Sequence, residues 1–175
     1  MEETQDEKVE TVIDDNKSFD NKMIEAFIGK PEKTVWYTLS FSKFNVNGVD
    51  TMKWNWSWWA FFGGFFFLLY RKQYIPALVV FIASVVLGII PFGSLLVAIL
   101  TGGYSTYFIY KGYKEKLAEV QRIVEGEDKQ IETIAALGGV NKWVVWFYAF
   151  LVIISLIIFV SYVSLFFSAS TGSFQ

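Results

Sequence analysis

The feature that most constrains this chain is where its charges are missing. Residues 54–70, 73–110 and 143–175 carry no Asp, Glu, Lys or Arg. Two of these runs exceed the roughly 18 apolar residues that mark a membrane-spanning candidate. The chain is 54% hydrophobic and only 18% charged, against roughly 45–50% and about 25% in ordinary soluble domains. The pattern predicts an all-α integral membrane protein, with charge confined to the segments between the runs.

Residue types that are missing narrow the chemistry. The chain has no Cys and no His, which removes disulfides, thiolate sites, imidazole-based zinc sites and Ser-His-Asp triads. A net charge of −2 and a pI near 5.2 give no reason to expect a nucleic-acid partner. No cofactor is indicated. The start, Met-Glu-Glu-Thr-Gln-Asp-Glu, resembles neither a signal nor a transit peptide, so internal segments are expected to direct insertion.

Residues 1–20 read as a disordered acidic tail. Residues 21–53 read as amphipathic cytoplasmic helices. Met23, Ile24, Phe27 and Ile28 have helical spacing before Gly29. Pro31 opens a second helix, with Val35, Trp36 and Leu39 on one face and Phe44 close to it. Asn47-Gly48 marks a turn. These helices are suited either to lying on headgroups or to packing on another cytoplasmic helix.

The segment 54–70, WNWSWWAFFGGFFFLLY, has ten aromatic residues among 17. Trp54, Trp56, Trp58 and Trp59 predict one membrane–water interface, and Tyr70-Arg71-Lys72 another. Residues 60–69 between them would reach about 15 Å as a helix, half of a roughly 30 Å core. With Gly63-Gly64 as the break, 54–72 is expected to be an aromatic re-entrant or interfacial helical hairpin. Its non-helical backbone would need protein around it.

Residues 75–110 read as a transmembrane hairpin turning at Pro91-Phe92-Gly93. Folding it there sets Ala77 opposite Ser105, Ser84 opposite Ala98, and Gly88 opposite Ser94, with Thr101 on the same face. Such small faces let membrane helices approach closely; a polar stripe along a substrate path is the sharper alternative. Phe81 would sit over the gap at Thr101 and Gly102. Residues 111–142 form a cytoplasmic helical segment. In it Tyr110, Tyr113, Leu117, Val120 and Val124 continue a short heptad seam, broken at Gly126 and resumed by Ile131 and Ile134. The seam suits packing on residues 21–45 or a coiled-coil partner. Gly138-Gly139 ends the segment. Residues 143–168 read as the last transmembrane helix, with Ser161, Ser164 and Ser168 on one face, followed by a short external tail, 169–175.

Orientation follows from counting basic residues. If 54–70 crossed the bilayer fully, seven lysines would lie opposite eight basic residues. If it is re-entrant, all 15 lie on one side, as the positive-inside rule prefers. The expectation is three spanning helices, with the N-terminus cytoplasmic and the C-terminus periplasmic or external.

The motif Lys53-Trp54-Asn55-Trp56, Trp59-Ala60-Phe61-Phe62-Gly63 and Leu68-Leu69-Tyr70-Arg71-Lys72 resembles the signature of a known family. That family comprises small bacterial inner-membrane proteins and is designated domain of unknown function twenty-six twenty-eight. Phe27-Ile28-Gly29-Lys30, with Trp36-Tyr37 and Phe44 after it, is similar to its lead-in, and Gly138-Gly139 also resembles it. Gly64 stands where the family often has Pro, and Gln73 where it often has Met. The resemblance implies a bacterial inner-membrane location and no activity.

Function is therefore expected to lie in non-catalytic binding of the lipid bilayer, or of a membrane or cytoplasmic protein partner. Trp54, Trp56, Trp58, Trp59, Arg71 and Lys72 are the candidate contacts. Arg71 and Lys72 could hold a lipid phosphate or merely fix topology. A small transporter, or an accessory subunit of one, is the alternative, although none of the expected spans holds Asp, Glu, Lys, Arg or His. An enzyme would have to find its base among Asp, Glu and Lys at the cytoplasmic face.

Overall fold

The structure is a computed structural model that describes residues 19–172, with side chains to 167. The acidic tail expected over 1–20 lies outside these residues except for Phe19 and Asp20, which belong to the first helix. The fold is mostly helical. Helix α1 covers 19–28 and α2 Pro31–Phe44. Two short strands, β1 (Asn45–Val46) and β2 (Val49–Asp50), form an antiparallel ladder. Asn47 and Gly48 both have positive φ, as the two-residue turn of a hairpin requires. An extended stretch leads to α3 (Trp58–Tyr70), α4 (Tyr74–Leu87), α5 (Gly93–Ile123), α6 (Glu127–Leu137) and α7 (Lys142–Gly172).

The described residues form two compact units, divided after Val140. In the first, α5 is the central post, and α2, α3, α4 and α6 all pack on it. The turn at Pro91 is where the sequence places it, with Phe92 at φ 65 immediately before α5. Helix α5 then continues without interruption through Lys111 to Ile123, so the hairpin's second helix extends well past its charge-free part. The break at Gly126 is present, with φ 90, and α6 begins at Glu127. The seam residues Tyr110, Tyr113, Leu117, Val120 and Val124 join one apolar cluster with Met23, Phe27, Ile28, Tyr37, Phe41, Phe44, Ile131 and Ile134. Thus α1, α2 and α6 of the same chain cover the seam.

The buried face of α2 differs from the one its periodicity indicates. Tyr37, Ser40, Phe41 and Phe44 are buried, whereas Val35, Trp36 and Leu39 are exposed. The helix is apolar on two opposite faces, and hydrophobic spacing alone does not say which one packs.

The second unit is α7. The chain has one helix long and apolar enough to cross a membrane among the described residues, within Glu127–Phe167. Since Gly138 and Gly139 interrupt that range, its apolar part is α7. Its large side chains from Val145 to Phe167 are mostly exposed, and Ser161 bonds back to the Ile157 carbonyl at 2.9 Å. The side chain of Ser168 lies outside the described residues. Helix α4 has only 14 residues, about 21 Å at 1.5 Å per residue. Three spans are thus the sequence expectation; one qualifies by length and composition.

Candidate interaction site: the aromatic loop and its basic junction

The aromatic segment is a loop with one extended limb and one helical limb. The descending limb starts at Asp50, whose carboxylate accepts from the Tyr110 hydroxyl. The backbone N–H of Asn55 then donates to the Gly103 carbonyl at 2.9 Å, and that of Ser57 to the Gly102 carbonyl at 2.8 Å. The limb thus runs eight residues along α5, from Tyr110 to Gly102, about 12 Å at 1.5 Å per residue. Ser57 caps the returning helix, its Oγ accepting from Ala60 N–H at 3.4 Å. Helix α3 climbs back until Gln73 lies against Gly112. Both ends of the loop therefore meet α5 at the same level, near residues 110–112.

This corrects one expectation. The reversal occurs at Ser57, not at Gly63-Gly64. Gly64, with φ 51 and ψ −133, is a kink inside the returning helix. The extended limb needs another partner for its backbone, and α5 supplies carbonyl groups through glycines. A Cβ at Gly102 would lie 3.0 Å from the Trp56 ring, and one at Gly103 would overlap the Trp54 ring. Trp54 also stands edge-on to Tyr104 at 5.2 Å. The gap at Gly102 is thus filled by Trp56; Phe81 instead meets Phe65 at 5.1 Å.

The four tryptophans divide in two. Trp56 is half-buried, with its indole N–H enclosed and without a partner. Trp54, Trp58 and Trp59 are exposed, Trp59 at 77%, and with Phe62 they make an outward aromatic face. Trp58 stacks on Phe62 at 6.0 Å.

The basic pair does not share that face. Arg71 is 7% exposed. Its Nη1 donates to the Ile28 carbonyl at 3.1 Å, and the guanidinium lies 4.7 Å from the centre of the Tyr37 ring. It is therefore not placed as a surface lipid contact; the cation caps the carbonyl end of α1, where positive charge is favoured. Lys72 donates to Ala136 O at 3.3 Å and Lys116 to Leu137 O at 3.0 Å, both at the carbonyl end of α6. Burial, and then the neighbouring Lys72, push the Lys116 pKa down. Burial raises the Tyr37 pKa, opposed by Arg71.

The two helix ends meet here. Gly139 N–H donates to Phe27 O at 2.7 Å, and any Cβ on Gly138 would overlap the Phe27 backbone. The Phe-Ile-Gly-Lys, Leu-Leu-Tyr-Arg-Lys and Gly-Gly segments, distant in sequence, thus form one junction. Sequence reasoning missed Tyr37, Gln73 and Lys116; the glycines at 102, 103 and 112 were the available sign of close approach on α5.

The helix-packing residues are mixed. Ala77, Thr101 and Ser105 are buried, Ser84 and Ala98 half-buried, and Gly88 and Ser94 exposed near the turn. A Cβ on Gly88 would lie 3.5 Å from Ser94 Oγ, as the folded hairpin requires. Ser84 and Thr101 bond back to Val80 and Val97 carbonyls. Ala77 packs with Leu68, Val80 and Val97, so α3 forms a third wall of the hairpin. No group of His, Cys, Asp and Glu able to hold a metal occurs among the described residues.

Neither a curated protein nor a solved structure matches the chain. A family sequence model does match, over residues 4–115. It takes in α1 through most of α5 and the whole aromatic loop, and leaves Gly138-Gly139 and α7 outside. The chain belongs to the family described as Protein of unknown function (DUF2628).

Proposed function

We propose that the protein is a small, non-catalytic integral membrane component of the bacterial inner membrane that works by contacting lipid or a protein partner. In this reading α7 crosses the bilayer, α4 and the first part of α5 form an embedded hairpin, and the aromatic loop is re-entrant. The N-terminus and residues 111–142 are cytoplasmic and the C-terminus external. The observation that carries the reading is the loop's pairing with α5. Backbone without helical bonds at membrane depth must be satisfied by protein, and Asn55 and Ser57 donate to Gly103 and Gly102. The exposed Trp54, Trp58 and Trp59 are the contact residues. Arg71 and Lys72 act on the helix ends and hold the contact surface in shape. Alkaline carbonate extraction of bacterial membranes tests embedding: the chain should stay in the pellet and leave only with detergent. Recovery in the carbonate supernatant would refute it.

One observation favours transport as a second reading. A helix broken at Gly64 is a feature shared with transporter binding sites. Substrate-dependent uptake by proteoliposomes, abolished by Gly64→Ala, would support that reading over the binding one.

A further inference from the structure

We propose that α2 is an interfacial helix whose outer face, Val35, Trp36 and Leu39, is covered by the headgroup–acyl boundary of the cytoplasmic leaflet. The inference rests on the membrane reading above and adds a second contact surface to it.

The argument begins with level. The charge-free run of α5 ends at Tyr110, and Lys111 follows. At that level α2 docks through Phe44 on Tyr107 at 5.5 Å, Phe41 on Tyr110 at 5.3 Å, and Phe41 on Tyr113 at 5.6 Å. The loop begins and ends there too, at Asp50 beside Tyr110 and Gln73 against Gly112. Several elements thus place the water boundary at one height on α5, and α2 docks on α5 at that height. Its packed face is turned toward α5; its other apolar face is turned away, with Val35 72% and Leu39 61% exposed. A helix lying in the interface plane buries such a face about 5–10 Å into the boundary.

Continuity supports the same occupant. Exposed apolar groups follow in sequence at Val46, Val49 and Met52 and lead to Trp54, Trp58 and Trp59, the contact residues of the proposed function, which lipid would cover in the same way. Charge is complementary to anionic headgroups as well. Lys33, Lys43 and Lys53 are exposed beside this surface. Of the nearby acids, Asp50 is engaged by the Tyr110 hydroxyl, and Glu32 sits in the first turn of α2, where the helix dipole favours it.

Single-Cys variants of this Cys-free chain provide the test. Leu39→Cys, Lys22→Cys and Trp59→Cys are each labelled with an environment-sensitive fluorophore. They are reconstituted in vesicles of phosphatidylethanolamine and phosphatidylglycerol carrying brominated acyl chains. The label at 39 should be quenched by the brominated lipid and shielded from aqueous iodide, like that at 59; the label at 22 should be open to iodide. If 59 is lipid-quenched but 39 is as open to iodide as 22, α2 faces water and the proposal fails while the membrane reading survives. If 39 is shielded from both quenchers, protein covers the face and the proposal also fails. If neither 39 nor 59 is lipid-quenched, the lipid contact of the aromatic loop fails together with the proposal. Val35→Cys repeats the measurement should Leu39→Cys insert poorly.

Discussion

Ser57 N–H donates to the carbonyl of Gly102 at 2.8 Å, and this bond marks where the aromatic loop turns back. One residue earlier the chain carries Trp56 over the same glycine. Ring and backbone therefore occupy a single notch on α5, which a side chain at Gly102 or Gly103 would fill.

That notch gives the first prediction. Gly103→Ala places a methyl group against the Trp54 ring, and overpacking of this kind costs about 1–3 kcal/mol. Trp54→Ala removes the obstruction. In a double-mutant cycle read by thermal unfolding in detergent, Gly103→Ala should therefore cost less in the Trp54→Ala background. Equal costs in the two backgrounds would separate the glycine from the ring.

The buried guanidinium gives the second. Arg71→Gln would leave the Ile28 carbonyl with a poorer partner, and an unsatisfied buried acceptor costs about 1–3 kcal/mol. The loss should appear as protease sensitivity between α1 and α2, since Arg71 holds the end of α1. Arg71→Lys keeps the charge but not the guanidinium that lies over Tyr37, and should recover part of the stability. Unchanged proteolysis of both variants, with lost lipid retention, would return Arg71 to the role of a lipid ligand.

Titration of the groups packed around the α5 seam gives the third. Burial raises the pKa of Tyr37 and Tyr113 from 10.0. A raised folded value favours the neutral phenol, so this stability is fully present below pH 10 and is lost as pH rises through the folded values. Lys116 acts in the opposite sense. Its folded pKa is below 10.5, so its penalty is present at neutral pH and fades as pH rises from its lowered value toward 10.5. The unfolding midpoint should be level near neutrality and fall above about pH 10. Tyr113→Phe should reduce that alkaline fall, and a fall of undiminished size would argue against the buried phenol as its source.

Much of the architecture was legible because local chemistry decides it. Pro91-Phe92-Gly93, Asn47-Gly48 and Gly126 interrupt periodic segments, and each stands at a turn or break in the structure. The packed face of α2 was not legible. Val35, Trp36 and Leu39 are as apolar and as well spaced as Tyr37, Phe41 and Phe44, and only docking on α5 chooses between them. Because glycines break helices, the sequence alone points to Gly63-Gly64 as the turning point of the loop. The reversal instead depends on carbonyl groups of α5, which lie some 45 residues away in sequence. Arg71 looked like a surface cation for a similar reason: its partner, Ile28, is 43 residues upstream.

Site-directed labelling of topology tests the re-entrant loop most directly. Single cysteines at Asn47, before the loop, and at Asp128, after the hairpin, are exposed positions in a chain without native Cys. In intact cells an impermeant maleimide should label neither, and in inside-out vesicles it should label both. Labelling of Asn47→Cys from outside the cell would mean that 54–70 crosses the bilayer fully, and would contradict the account.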